Sequence, residues 1–300
     1  MWIKVTLIVL GLLGVALLSI VLINRVLLDR ANAKLVAELL AERQPPSSRV
    51  FQKDDVVGLP APVQRYLLKV IPEGRPYVET VRLHQVGEFR LGDATAPWKS
   101  LAADQHFTVS PPGFVWDARI EMAPLVQARV IDMYRDGRGL LRAKVFSTLT
   151  VAEAQGQDEL NVGELMRYLA EAVWFPTAFL PGQGIEWAAI DDRSARATIG
   201  HQGIQASVLF YFDDRDQVER IHADRWYQTE DGSFELTPWT GYWSDYQIRD
   251  GLLIPIEGRV EWNRPEGDVT YWHARLHEIE YDVSAPGRSM KRNDAGSMIE

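Results

Sequence analysis

Few residues of this chain stand in a pattern that could do chemistry. His273 and His277 are four residues apart, a spacing that on a helix sets two imidazoles on one face as metal ligands. Residues 269–283 around them alternate like a strand, which would separate the pair by about 13 Å at ~3.3 Å per residue. They are read as exposed or hydrogen-bonded histidines, and no metal site is expected. Asp191-Asp192 and Asp213-Asp214 are adjacent carboxylates. Strand neighbours point to opposite faces, so these are read as turn residues that cap backbone N–H groups. Glu164 and Arg167 lie three apart on a helix, the spacing of a surface ion pair, although the same spacing could orient a ligand head group. No nucleophile elbow, phosphate-cradling glycine loop or HExxH motif is present. The chain has no cysteine, which excludes disulfides, thiolate catalysis and iron–sulfur clusters. No cofactor is expected.

The aromatic residues are more informative. The chain carries 10 tryptophans. Trp174, Phe175 and Phe179 stand around Pro176 and Pro181, a rigid apolar connection that could close over a sheet. Trp239, Trp243 and Tyr246 form a second cluster, and Trp262 ends a later strand-like run. Ordinary core is one reading of such clusters. The other is the lining of an apolar cavity for a lipid or acyl chain, a type of site that carries a few orienting polar groups. Arg167, Arg225, Asp245 and Glu257 are the candidates for those groups. Asp245 and Glu257 also support an alternative, a carboxylate-dependent hydrolase, which needs two acids converging in a cleft with separated pKa values. A third reading is an envelope scaffold that binds another protein through an exposed aromatic patch.

The elements that must position these residues begin with a membrane segment. Residues 5–23 carry no charge, and as a helix they would be about 28 Å long, close to the ~30 Å of bilayer hydrocarbon. A cleaved secretory signal would need a shorter apolar stretch, although Ala31-Asn32-Ala33 has the form of a cleavage site. An uncleaved anchor is the preferred reading, with residues 2–28 in contact with the bilayer. Arg25, Arg30, Lys34 and Arg43 follow the span and only Lys4 precedes it, a count that places the domain in the cytoplasm. Leu28, Leu35, Leu39 and Leu40 keep a helical rhythm read as a stalk, and Pro45-Pro46 reads as a linker. A net charge of −9 without a basic stripe argues against nucleic acid.

Beyond a short helix opened by Pro62, the rhythm turns to period two. Trp116, Ala118, Ile120 and Met122 alternate with Val115, Asp117, Arg119 and Glu121. Asp136-Gly137 reads as a hairpin turn between 126–134 and 140–151. Asn161 and Glu164 have the spacing of a capping box ahead of a helix that Pro176 stops. About ten strands with few helices imply a mainly β (α+β) fold, a large curved antiparallel sheet or half-barrel.

The phrases GFVWDA (113–118), YRDGRG (134–139), ELMRYLAEAVWFPT (164–177) and Tyr271-Trp272 resemble a bacterial family of unknown function, the DUF6544 type, over about residues 60–282. That resemblance implies no catalytic residue. At fold level the chain is similar to LolA/LolB-type lipoprotein carriers, which implies a sheet curled round an apolar cavity. It also implies an extracytoplasmic domain on the bacterial inner membrane, against the charge count. Unlike those carriers, this chain has an N-terminal anchor and no lipoprotein cysteine, which favours work at one membrane. The expected organisation is an anchor at 1–28, a stalk and linker at 29–58, a β-rich domain at 59–283 and a disordered tail at 284–300. The expected function is binding of a lipid or other hydrophobic ligand in the concavity.

Overall fold

The computed structural model describes residues 2–44, 48–124, 126–229 and 231–283. Pro45, Pro46 and the tail from residue 284 lie outside them. Helix α1 (Trp2–Ala41) is continuous, and no residue of its apolar span is buried. Burial begins at Leu28 and recurs at Asn32, Val36, Leu39 and Leu40. These steps of three and four keep one face of the helix inward. Val36, Leu39 and Leu40 pack against Val115, Ile131, Met133 and Leu140 on the outer face of the sheet. Asn32 Nδ2 donates to Asp117 Oδ2 at 3.1 Å. Arg129 joins Asp117 to Asp29, the latter at 2.8 Å. The residues read as a stalk are therefore docked on the domain over their last turns.

After a 3-10 turn (Lys53–Val56) and helix α2 (Ala61–Val70), the chain lays down six strands in a meander: β1 (Thr80–Phe89), β2 (Lys99–Thr108), β3 (Gly113–Ala123), β4 (Val126–Arg135), β5 (Arg138–Val145) and β6 (Leu149–Gln155). Helix α3 (Asp158–Glu171) and two 3-10 turns (Ala172–Trp174, Pro176–Phe179) then cross the sheet. Seven further strands follow: β7 (Ile185–Asp191), β8 (Ser194–His201), β9 (Ile204–Phe212), β10 (Val218–Gln228), β11 (Phe234–Arg249), β12 (Leu252–Arg264) and β13 (Gly267–Tyr281). All belong to one 13-stranded sheet in the order β6-β5-β4-β3-β2-β1-β13-β12-β11-β10-β9-β8-β7, and every pairing is antiparallel. The two meanders meet where β1 pairs with β13, Val81 opposite Tyr281.

The sheet curls until its two arms touch. The β4–β5 turn, Asp136-Gly137, and the β8–β9 turn, Gln202-Gly203, both have positive φ, the geometry of tight hairpins. Gln202 Nε2 donates to Asp136 Oδ1 at 2.9 Å, and the Tyr134 hydroxyl lies 3.0 Å from His201 Nδ1. A Cβ on Gly137 would stand 2.7 Å from the Gln202 Cβ, so only glycine permits this approach. Inside the curl, α3 lies between β5 and β9 and buries Leu165, Tyr168 and Leu169. Phe107 contacts Phe114, Tyr168 and Phe175 at ring-centroid distances of 6.0, 6.3 and 4.9 Å.

The mainly β fold is as expected. Details of the sequence reading need correction. β2, β7 and β8 were not distinguished, and 140–151 is two strands joined through Phe146-Ser147, both at positive φ. The capping box is absent. α3 starts at Asp158, and Asn161 Oδ1 instead accepts from the Gly139 backbone N–H at 2.7 Å. The turn reading of Asp191 and Asp213 agrees with the structure: each carboxylate accepts the backbone N–H two residues on, from Arg193 and Arg215.

Candidate functional site

Helix α3 fills one part of the concavity and leaves the rest open. The remaining cavity is about 390 Å³ and extends from α3 to the strand ends. Its walls come from inward positions of both meanders. Trp116, Ile120, Val130 and Ala143 line one side, and Trp239, Val260, Trp262 and Tyr271 the other. Trp262 stacks on Tyr271 at 5.9 Å, and Trp239 Nε1 donates to the Tyr271 hydroxyl at 3.0 Å. Phe89, the last residue of β1, and Leu91 beyond it line the cavity at the strand ends. The alternation of β3 explains the division of labour: Trp116 and Ile120 face the cavity, whereas Val115 and Asp117 meet α1.

The floor is charged and buried. Arg167 pairs with Asp132 and, through Nε, with Glu171 Oε1 at 2.9 Å. Gln105 Nε2 donates to Glu171 Oε2 at 2.7 Å, and Trp116 Nε1 to Gln85 Oε1 at 3.1 Å. Arg225 Nη2 donates to Glu164 Oε1 at 3.3 Å. The guanidinium of Arg167 sits 4.9 Å from the Trp116 ring, which adds a cation–π contact. Two cations thus face three carboxylates. Burial, followed by the adjacent Asp132 carboxylate, pushes Glu164 well above the usual carboxylate range. Glu164 Oε2 and Asp132 Oδ1 are buried without another donor among the described residues. The protonated form of Glu164 is thereby favoured on this floor.

The sequence candidates divide three ways. Arg167, Arg225, Trp239, Trp243 and Trp262 all line the cavity. Trp174, Phe175 and Phe179 are fully buried behind it. Trp174 Nε1 donates to the Pro255 carbonyl at 3.1 Å, and Phe179 packs on Tyr66 and Phe210. The apolar connection does close over the sheet, as core. Asp245 and Glu257 lie outside the cavity. Both are bound by the exposed Arg275, each at 2.5 Å, and hydrogen bonds from Gln247 and Arg275 hold Asp245 below the usual range. They share this one exposed arginine and do not converge in the cavity. Glu164 and Arg167 are buried floor residues, not a surface pair. His273 and His277 belong to no cluster able to hold a metal, and none occurs among the described residues. Sequence reasoning missed Asp132 and Glu171. Asp132 is an acid at an inward position between Val130 and Tyr134, and Glu171 extends Glu164 and Arg167 into a charged helix stripe; those were the available signals.

A family model described as a family of unknown function, DUF6920, matches residues 57–281. The chain belongs to that family. It is therefore not the DUF6544 type suggested by the motifs, although the matched span is almost the one the motifs outlined. A comparison with curated proteins finds no match. Among solved structures, a LolA superfamily protein from Nitrosomonas europaea is similar over 73% of this chain and 91% of that one, with 9% identity and a TM-score of 0.39. A β-barrel-like protein of a domain of unknown function, DUF1849, from Brucella abortus is similar over 68% of this chain and 98% of that one, with 11% identity and a TM-score of 0.25.

Proposed function

We propose that this DUF6920 chain is a membrane-tethered binding domain for a hydrophobic ligand, an acyl chain or lipid, held in the concavity of its sheet. The observation that carries this reading is the cavity itself: tryptophans from both meanders face about 390 Å³ of open space above a floor of paired charges. Folding gains free energy by filling such space with side chains, and an unfilled, apolar, mostly enclosed volume is what a ligand of matching chemistry occupies. The internally paired floor favours a ligand without a strongly charged buried head. The anchor reading of α1 fits this role, because tethering raises the concentration of the domain beside membrane lipid.

The test is to fill the cavity from within. In Ala143→Phe, at a partly buried wall position, the added ring occupies ligand space. Energy transfer from the wall tryptophans to a dansyl-labelled acyl chain should saturate in the unaltered full-length protein and fall at least about tenfold in apparent affinity in the variant, since ~1.4 kcal/mol is tenfold. No transfer in the unaltered protein across neutral and charged acyl probes would overturn the reading.

A further inference from the structure

The end of the concavity where the exposed Leu91 and Val151 line the cavity is also the end from which α1 leaves the domain. Along the outer face, Gln44 N–H bonds the Ser110 carbonyl at the far end of β2, Asn32 reaches Asp117 midway along β3, and Asn24 Nδ2 donates to Thr148 Oγ1 in the β5–β6 turn at 3.2 Å. Asn24 is the first polar residue after the uncharged run 5–23. A bilayer that encloses this run therefore has its surface level with the β5–β6 turn.

That turn is unusual for an exposed one. Residues 145–152 carry no charge, and they include Phe146, 47% exposed, Leu149, 63% exposed, and Val151. β6 is the last strand of the sheet, and exposed edges are ordinarily guarded by charge. Across the mouth, Leu91 is 56% exposed. Leu91 and Val151 both line the cavity, so this rim is continuous with its apolar walls.

We propose that the rim made by Leu91, Phe146, Leu149 and Val151 seats in the interface of the same bilayer that α1 crosses, so that the cavity opens directly onto the lipid leaflet. The proposal rests on the reading of α1 as an anchor. A ligand then enters the cavity from the leaflet without passing through water, and the docked part of α1 fixes the mouth at the membrane. A bilayer is the occupant because α1 already brings it to the level of the rim; a protein partner would have to displace it.

The chain lacks native cysteine, so single cysteines report cleanly. Leu91→Cys, Phe146→Cys and Leu149→Cys, each carrying a nitrobenzoxadiazole dye, are compared with Leu13→Cys in α1 and with Lys69→Cys on α2, near the opposite end. Each full-length variant is reconstituted in phosphatidylethanolamine–phosphatidylglycerol vesicles with and without nitroxide-labelled lipid. The rim and Leu13 probes should lose most of their emission to the nitroxide, and the Lys69 probe should keep its own. Quenching at Leu13 without quenching at the rim overturns the rim proposal and leaves the anchor standing. A water-exposed Leu13 probe overturns the anchor and the rim proposal together. Rim probes shielded from water but insensitive to the nitroxide point to a protein partner, and they overturn the proposal too.

Discussion

The two ends of the concavity are built from the same sheet and have similar aromatic content, yet one is solid and the other hollow. At the closed end, Phe107, Phe114, Tyr168 and Phe175 interlock and have almost no exposure. At the open end, Trp239, Trp262 and Tyr271 have partners among themselves but face empty volume. The difference is coverage. The crossover between β6 and β7 supplies α3 and two 3-10 turns, enough to roof one end. Aromatic density alone does not distinguish core from cavity. What distinguishes them is whether a second layer of chain lies over the rings.

The sharpest way to break this contrast is paired truncation. Phe175→Ala should cost about 3–5 kcal/mol in denaturant unfolding, the usual range for a large buried aromatic. Trp262→Ala, at the open end, should cost clearly less while it weakens the apparent affinity for an acyl probe read by energy transfer from the remaining wall tryptophans. Equal costs would mean that the open end is core. A second change tests whether the helix dock belongs to the solid part. Arg129→Met leaves Asp117 and Asp29 without their common cation, and it should cost about 3 kcal/mol, with faster amide exchange in the last turns of α1.

Smaller effects test the closure and the floor. Gly137→Ala forces a Cβ toward Gln202 at positive φ and should cost about 1–2 kcal/mol, visible as a lower thermal midpoint. Glu164→Gln should be nearly neutral at low pH. Glu164 has a raised folded pKa, so its stabilising contribution is fully present below the unfolded value and is lost as pH rises through the folded one. The unaltered protein should therefore lose stability relative to the glutamine variant as pH increases, as read from melts between about pH 5 and 9. A constant difference across that range would show that Glu164 is ionised throughout.

Much of this architecture was legible. The alternation in β3 separated its two faces, and Asp136-Gly137 located its hairpin. β2 escaped because Gln105 interrupts its inward row and is fully buried through hydrogen bonds with Gln85 and with Glu171 on α3. The break between β5 and β6 escaped because Phe146-Ser147 makes a turn without glycine, asparagine or aspartate. Of the residues that line the cavity, Trp239, Trp243, Trp262 and Arg225 had been singled out by their strand-like or aromatic setting and Arg167 by its helical spacing to Glu164, whereas Trp116, Trp226 and Trp272 had not. The floor was misread because helical spacing says which residues share a face and nothing about what that face meets. Glu164, Arg167 and Glu171 meet the inside of a sheet whose arms are distant in sequence.

The pairing of β1 with β13 has a consequence for assembly. The seam between the meanders joins Val81 to Tyr281, so the first strand made must wait, one edge unzipped, until nearly the whole chain has been synthesised. Such long-range closure slows folding. On the proposed anchor reading, α1 would reach the insertion machinery during that interval, and the half-sheet would mature beside a membrane.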